Sequence, residues 1–96
     1  MQITTTKDGS TTTLALEGWL DTNTAPQLGD ALSEIDPSCT DLVLDFTGLE
    51  YISSAGLRQV VAAHKKMCGS LSVINVSAEV MQVFKMAGFD KRLNIS

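Results

Sequence analysis

Residues 41–57, DLVLDFTGLEYISSAGL, join a short apolar run to the start of an amphipathic helix. Leu42-Val43-Leu44 is continuously apolar, which is typical of a central strand covered on both faces. We predict this strand over Asp41–Asp45 and expect Thr47-Gly48 to interrupt it. The stretch Ser53-Ser54-Ala55-Gly56 then begins a helix, because serine is a preferred residue at a helix N-cap.

The sequence towards the C-terminus alternates helices and strands. The helix that begins there has apolar residues at helical spacing, and Gly69 marks its end. Its predicted buried stripe is Leu57, Val60, Val61 and His64, opposite Arg58, Gln59, Lys65 and Lys66. A strand follows over Leu71–Asn75, Ser77 caps a third helix that ends at Gly88, and Leu93–Ile95 is a last short strand. The buried stripe of the third helix is predicted to be Val80, Val83, Phe84 and Ala87.

The N-terminal residues are predicted to form a β-hairpin and a first helix. Two Thr-rich segments are separated by Asp8-Gly9, a dipeptide that favours a type I′ turn. These segments are Gln2–Lys7 and Ser10–Leu16. In the helix that follows, Thr24 and Gln27 can form a capping box. Asp36-Pro37 is expected to end this helix, whose predicted buried stripe is Ala25, Leu28, Leu32 and Ile35.

The order of these elements predicts the fold class. Alternation of helices with strands implies right-handed crossovers and parallel strand pairs. We therefore predict an α/β fold in one domain, residues 1–96. It should contain a mixed sheet of about four to five strands, with an N-terminal hairpin and three or more helices packed against the sheet.

The composition excludes several classes of protein. Of the 96 residues 44% are hydrophobic, which is typical of a folded chain, and 7 basic against 11 acidic residues give a net charge of −4. The chain has no basic stripe of the kind that binds phosphates, so we expect no nucleic-acid partner. It has neither a signal-peptide pattern nor an apolar window long enough to cross a membrane. We therefore expect a cytoplasmic protein with Cys39 and Cys68 as buried or half-buried free thiols.

The sequence lacks the residue patterns that enzymes and metal sites require. His64 is the only histidine, no Cys/His cluster has ligand spacing, and no nucleotide-binding or nucleophile motif occurs. Asp21, Asp45 and Glu50 are more typical of helix caps and solvated positions than of an acid–base pair. We therefore expect no catalytic residue, cofactor site or metal site in this chain.

The two adjacent serines are predicted to have different roles. Ser53 is the expected N-cap of the second helix, which leaves Ser54 as the first helical residue with a free hydroxyl. A phosphate on Ser54 would lie at the positive end of the helix, where the fold tolerates it. It would nevertheless place a near-dianion on the surface. This arrangement predicts a switch that acts on binding to a partner.

On these residues the sequence resembles the STAS domain family, in particular bacterial anti-sigma factor antagonists. The similarity extends over essentially the whole chain, and its strongest element is residues 45–58, DFTGLEYISSAGLR. Gly18-Trp19-Leu20-Asp21 is similar to the family's Gly-x-Leu-Asp segment, and Met86-Ala87-Gly88-Phe89 adds support near the C-terminus. In the family's Asp-Ser-Ser/Thr-Gly pattern the serine after the aspartate accepts phosphate, which places Ser54 at the acceptor position.

The resemblance implies a STAS-like fold and a regulatory binding protein. Ser53 stands where many members have aspartate, and Ala55 where they have serine or threonine. By this resemblance, the unphosphorylated form binds an anti-sigma factor that is itself a serine kinase, and a sigma factor is released. Phosphorylation of Ser54 would break the complex, and a metal-dependent serine phosphatase would restore it, so ATP and magnesium belong to the kinase. The residues expected to contact the partner are Trp19, Asp21, Ser53, Ser54, Gly56 and Arg58.

Several alternatives stay open. The chain could be a STAS binding module or scaffold component without phosphoregulation, in which Ser54 is only a polar residue at a helix start. An enzyme with Ser54 as nucleophile would need a base, yet His64 lies roughly 15 Å further along the same helix. Trp19 fits a core position better than a partner contact, although tryptophan is enriched at interfaces. Packing and an adaptable contact surface are both open for Met67, Met81 and Met86.

Overall fold

The strands and helices follow the predicted order and form the predicted α/β fold. The computed structural model describes residues 1–35 and 38–96. Its strands are β1 (Gln2–Asp8), β2 (Thr11–Leu20), β3 (Asp41–Ile52), β4 (Leu71–Ile74) and β5 (Asn94–Ile95). Its helices are α1 (Ala25–Ser33), α2 (Ser54–Lys66) and α3 (Ala78–Ala87). The predicted helix end at Asp36-Pro37 lies outside the described residues.

Within the described part of the chain, the sheet is mixed and has five strands in the order β1-β2-β3-β4-β5. β1 pairs antiparallel with β2, and every other neighbouring pair is parallel, which confirms the predicted hairpin and mixed sheet. The hairpin loop is Gly9-Ser10, and only Gly9 of the two has positive φ, 61°. This pattern is that of a type II′ turn, so the type I′ prediction was wrong.

The helices cover only one face of the sheet. Side chains of the three central strands that point to this face are buried, and the middle ones are Leu14, Leu44 and Val73. The helices pack on them in one hydrophobic cluster through residues that include Leu28, Val60 and Phe84. On the opposite face, Val43 and its strand neighbours Thr13 and Ser72 are only half-buried. The prediction that β3 is covered on both faces was therefore wrong, since valine also suits a half-exposed strand position.

β3 is longer than predicted, because it continues through Thr47-Gly48 as a bulged strand. Its pairing register with β2 shifts twice, after Ala15 and after Gly18, and β3 contributes one extra residue at each shift. As a result, Trp19 lies opposite Tyr51 at the C-terminal end of the two strands.

The N-caps of α2 and α3 form as predicted. Ser53 Oγ accepts a hydrogen bond from the Gly56 N–H at 3.3 Å, and Ser77 Oγ accepts one from the Val80 N–H at 3.2 Å. Each serine thereby satisfies a backbone donor that has no partner within its helix. Local sequence was sufficient to predict both helix starts.

The predicted capping box at the start of α1 is not formed. The Thr24 side chain makes no cap hydrogen bond, and the Gln27 side-chain amide donates to the Met1 carbonyl oxygen at 3.0 Å. Asp21 instead caps the turn at residues 22–24 that leads into this helix: its Oδ1 accepts hydrogen bonds from the Asn23 N–H at 2.9 Å and the Thr24 N–H at 3.0 Å. A carboxylate is the stronger acceptor, because its hydrogen bonds are charge-assisted.

The buried stripes of α2 and α3 are narrower than predicted. Ala63 is buried in α2, whereas Val61 and His64 are half-buried, and Ala87 of α3 is exposed. Val61 and Ala87 instead line a surface groove between the two helices. Helical spacing marks apolar positions without distinguishing the core from an apolar surface.

The structure also bears on the predictions for the two cysteines and for membrane-spanning helices. Cys39 and Cys68 are free thiols, and Cys39 is half-buried as predicted. Cys68 is exposed, contrary to prediction, because it lies in the turn after α2 with a φ of 52°. Over residues 1–35 and 38–96, no helix has the length and apolarity needed to cross a membrane.

Asp45 connects the bulged part of β3 to the end of β4. Its Oδ1 accepts hydrogen bonds from the Thr47 hydroxyl at 2.6 Å, the Thr47 N–H at 3.0 Å and the Asn75 side-chain amide at 3.1 Å. The Thr47 hydroxyl and the Asn75 amide are the main reasons that the pKa of Asp45 is below its ordinary value, and desolvation opposes them. The charged carboxylate therefore stabilises the fold.

The start of α2 packs directly on the end of β2. The Leu20 carbonyl oxygen accepts a hydrogen bond from the Ser53 N–H at 2.8 Å. A Cβ added at Gly56 would lie 2.6 Å from Leu20 Cγ and 2.9 Å from the Leu20 carbonyl oxygen. No side chain fits in this space, so glycine is what allows the helix to approach the strand.

We predict that Gly56→Ala lowers the free energy of unfolding by roughly 1–3 kcal/mol, because the methyl group meets a backbone oxygen that cannot move freely. Gly29→Ala is the matched control. A Cβ at Gly29 faces the flexible Gln59 amide at 3.2 Å, and alanine should stabilise the helix by up to about 1 kcal/mol. Urea unfolding monitored by far-UV circular dichroism measures both changes. Equal effects of the two variants would show that the Leu20 contact is not tight.

We predict that Asp45→Asn lowers the free energy of unfolding by about 1 kcal/mol at neutral pH, because a charged acceptor is replaced by a neutral one. The folded-state pKa of Asp45 is lowered, so its contribution is present above the unfolded-state pKa and is lost as pH falls through the folded-state pKa. The difference between Asp45→Asn and the wild type should therefore shrink on acidification. Urea unfolding across acidic pH measures it, with the exposed Asp30→Asn as control. A difference independent of pH would contradict the assignment.

Candidate functional site

An exposed aromatic pair marks the C-terminal ends of β2 and β3. Trp19 is 58% exposed and Tyr51 46% exposed, and their ring centroids are 5.7 Å apart with the rings tilted by 51°. The Trp19 Nε1–H donates to Glu50 Oε2 at 3.2 Å, which holds the indole in place. The interpretation of Trp19 as a core residue was therefore wrong. Its position suits an interface, since exposed tryptophan and tyrosine are frequent anchors of protein contacts.

Asp21 lies next to this pair and organises the first turn of α1. The Thr24 hydroxyl accepts a hydrogen bond from the Asp21 N–H at 2.8 Å and donates one to the Trp19 carbonyl oxygen at 2.7 Å. These bonds fix the backbone between the strand and the helix. Only Oδ1 of the half-buried Asp21 carboxylate is used in capping, and Oδ2 has no hydrogen-bond partner among the described residues. Asp21 can therefore cap the turn before α1 and still present an oxygen to a partner.

Ser53 and Ser54 have different surroundings. Ser53 is half-buried, and its hydroxyl is used in capping. Ser54, the first residue of α2, is exposed, and its hydroxyl makes no hydrogen bond to any described residue. The first turn of α2 also carries no acidic residue. The hydroxyl of Ser54 is therefore accessible at the positive end of a helix dipole that no carboxylate of the same helix turn offsets.

Ser54 lies at the junction of two apolar depressions in the surface. One is shallow and is lined by residues that include Tyr51, Ser54 and Met86. Met86 is 80% exposed. The other is the groove between α2 and α3, which Ser54 shares with Arg58. A group attached to the Ser54 hydroxyl would project between the two depressions.

Gly56 lies beneath the surface of this region, whereas Arg58 lies on it. Gly56 is buried against Leu20, so it shapes the surface without being able to touch a partner directly. Arg58 is exposed one turn after Ser54. The structure thus brings Trp19, Asp21, Ser53, Ser54 and Arg58 to one end of the sheet, with Gly56 beneath.

Sequence reasoning missed two members of this region and left a third open. From the sequence, Tyr51 has no role of its own and Glu50 is assigned to a helix cap or a solvated position, because the places of both depend on the two register shifts. Met86 was compatible with packing or contact, and its 80% exposure excludes packing in the core. The exposed positions of β3 could not be found by strict alternation, which the bulges interrupt.

The ionisable groups considered for catalysis do not come together as a pair. Asp45 is hydrogen-bonded to Thr47 and Asn75, whereas Glu50 is bound to Trp19. Within residues 1–35 and 38–96, no group of three or more His, Cys, Asp and Glu side chains could hold a metal ion.

Known proteins share both the sequence pattern and the fold. The model of a family described as "Mlab, STAS domain" matches residues 3–95. BtrV of Bordetella bronchiseptica, whose name describes it as a candidate anti-sigma factor antagonist, is 32% identical over 93 residues, which cover 93% of this chain and 80% of BtrV.

Among solved structures, an anti-sigma factor antagonist from Mycobacterium paratuberculosis has a TM-score of 0.87 at 22% identity, over 98% of this chain and 83% of that one. The anti-sigma factor antagonist SpoIIAA in its unphosphorylated form has a TM-score of 0.81 at 19% identity, over 99% and 88%. SpoIIAA, described as a Bacillus cell fate determinant, in its phosphorylated form has a TM-score of 0.68 at 17% identity, over 99% and 91%. These structures share the fold, and together with the matches to residues 3–95 and to BtrV they show that the chain belongs to the STAS domain family.

Proposed function

We propose that the chain is an anti-sigma factor antagonist that is controlled by phosphorylation of Ser54. In its unphosphorylated form it would bind an anti-sigma factor that is a serine kinase, so that a sigma factor is released. A phosphate on Ser54 would break that complex, and a metal-dependent serine phosphatase would restore binding. The names of BtrV and of the structural relatives support the antagonist role.

The observation that carries this proposal is the separation of roles between Ser53 and Ser54. Ser53 holds the helix start through its hydrogen bond to the Gly56 N–H, whereas the Ser54 hydroxyl is exposed and has no partner in the described chain. A kinase can therefore reach Ser54 without opening the fold. The added dianion would lie near backbone N–H groups of the first turn, which favours it electrostatically.

The same phosphate would act strongly on a bound partner. Ser54 separates the depression lined by Tyr51 and Met86 from the groove between α2 and α3. A partner that covers either apolar depression would have to desolvate the phosphate, which is costly for a near-dianion. The switch would thus act on affinity, while the unfolding equilibrium of the domain changes little.

We propose binding, not catalysis, as the activity of this chain. A nucleophilic Ser54 would need a base within hydrogen-bond reach, and His64 lies roughly 15 Å away along α2. ATP and magnesium would be bound by the kinase. We place the protein in the cytoplasm, where a kinase has ATP and the free thiols of Cys39 and Cys68 stay reduced.

One feature favours a second candidate, a STAS binding module without phosphoregulation. Ser53 occupies the position at which the resemblance implies aspartate, and the first turn of α2 has no acidic residue. In that case the surface around Trp19 would bind its partner constitutively. Phosphorylation of Ser54 decides between the two candidates.

We predict that incubation with ATP and lysate from the source cells places phosphate on Ser54 of the wild type and not on Ser54→Ala, as mapped by mass spectrometry. Ser54→Ala should unfold like the wild type. Ser53→Ala is the matched control: it should lower the free energy of unfolding by about 1 kcal/mol and still acquire phosphate at position 54. Phosphate on Ser53 would show that the acceptor is Ser53 and not Ser54. If neither serine carries phosphate while a control substrate in the same lysate does, the result favours the binding module without phosphoregulation.

We predict that Trp19→Ala weakens binding to the anti-sigma partner by tenfold or more, because a large exposed anchor typically contributes about 2 kcal/mol or more to an interface. The free energy of unfolding should change by no more than about 0.5 kcal/mol, since the side chain is largely exposed. Isothermal titration calorimetry measures the affinity, with Thr6→Ala on the exposed strand β1 as control. Unchanged affinity would exclude Trp19 from the interface.

A further inference from the structure

The groove between α2 and α3 is apolar at its base and cationic along one wall. It has a volume of about 550 Å³. Its apolar lining consists of Leu57, Val61, Ala62, Ala87 and Phe89. The α2 wall also carries Ser54, Arg58 and Lys65, and no acidic residue lines the groove.

The two cations of this wall are not used within the fold. Neither Arg58 nor Lys65 forms an ion pair or a hydrogen bond with the described residues, and both side chains are exposed. This contrasts with Lys66, whose Nζ donates to the Leu32 carbonyl oxygen at 2.6 Å and joins α2 to α1. In a chain of net charge −4, two uncommitted cations beside an apolar groove form a local positive site.

The spacing of the cations indicates the shape of the ligand. Arg58 and Lys65 are seven residues apart, which is about two helical turns and roughly 10 Å along the same side of α2. A second helix lying alongside α2 would present carboxylates at the same distance if they are also seven residues apart. An amphipathic helix in an apolar groove is a common form of peptide recognition.

We propose that this groove binds an amphipathic helix of the protein partner, with an apolar face on Leu57, Val61 and Phe89 and with two carboxylates that pair with Arg58 and Lys65. The charge complementarity selects an acidic helix and disfavours a basic one. The inference rests on the proposed function in one respect: it takes this helix to belong to the partner that phosphorylation of Ser54 would release.

The position of Arg58 adds a mechanism for the release. Ser54 and Arg58 are four residues apart on α2 and line the same groove, so their side chains are neighbours on the helix surface. A phosphate on Ser54 would compete with the partner's carboxylate for the Arg58 guanidinium, which binds phosphate and carboxylate with the same geometry. Phosphorylation would thereby remove an attractive contact as well as add a repulsive one.

The test uses two synthetic helical peptides with the same apolar face, one with glutamates seven residues apart and the other with lysines at those positions. Each is titrated into the isotope-labelled full chain and followed by amide chemical shifts. We expect the glutamate peptide to shift the amides of Val61, Ala62, Ala87 and Phe89, and the lysine peptide to bind roughly tenfold more weakly. The double variant Arg58→Glu, Lys65→Glu should reverse this preference. The control Lys85→Glu, Lys91→Glu makes the same change of net charge outside the groove and should not.

Several outcomes would overturn the proposal. These are no shift at the groove amides with either peptide, equal affinity for both, or a preference that survives the Arg58→Glu, Lys65→Glu change. If the chemical shifts of the groove amides change with protein concentration in the absence of peptide, the groove binds a second copy of the chain instead.

A chain with phosphoserine incorporated at position 54 tests the competition directly. It should lose roughly tenfold in affinity for the glutamate peptide, and the loss should be smaller in Arg58→Gln. An equal loss in both backgrounds would contradict the role of Arg58. None of these measurements uses a kinase, so a failure of the proposed function in cells would leave their result unaffected.

Discussion

The carbonyl oxygen of Leu20 is the point on which the end of the molecule that carries the candidate site depends. It accepts the Ser53 N–H at 2.8 Å and lies where any side chain at position 56 would have to go. Through this contact the end of β2 meets the start of α2, with no side chain at position 56 between them. Residues flanking Leu20 are thereby held beside residues flanking Gly56, so Trp19 and Asp21 come to lie near Ser54.

The same region separates the residues that maintain the fold from those that are free for interaction. Ser53 and Ser54 are adjacent, yet the hydroxyl of one caps a helix and the hydroxyl of the other points to solvent. Asp21 shows the division within one side chain, since Oδ1 caps the turn before α1 and Oδ2 is free of partners in the described chain. Such a separation allows a surface to be modified or mutated at little cost in stability.

Features set by local sequence could be predicted, and features set by strand pairing could not. The hairpin, the Ser53 and Ser77 caps and the helix end at Gly88 each depend on a few consecutive residues, and the structure confirms them. The second helix stops earlier than Gly69 predicts, since α2 ends at Lys66 with Met67 as its C-cap. The exposure of Trp19 depends instead on two register shifts between strands that are distant in sequence.

Two other predictions were wrong because a capping or apolar pattern does not show which other groups lie near it in the fold. Thr24 and Gln27 have the spacing of a capping box, but the Asp21 carboxylate is the stronger acceptor for the Thr24 N–H, which a capping box would give to the Gln27 side chain. Val61 and Ala87 have core spacing, yet they line a groove at the surface. Periodicity cannot separate a core stripe from a docking surface, because the apolar spacing is the same in both.

The position of Trp19 also gives the molecule an intrinsic optical probe. It is the single tryptophan of the chain, and more than half of its side chain is in contact with water. Its emission is therefore governed by hydration at the tip of β2 and only weakly by the hydrophobic cluster beneath. Fluorescence of the unlabelled protein would consequently report on events at this end of the sheet, at wavelengths where the single tyrosine and the three phenylalanines contribute little.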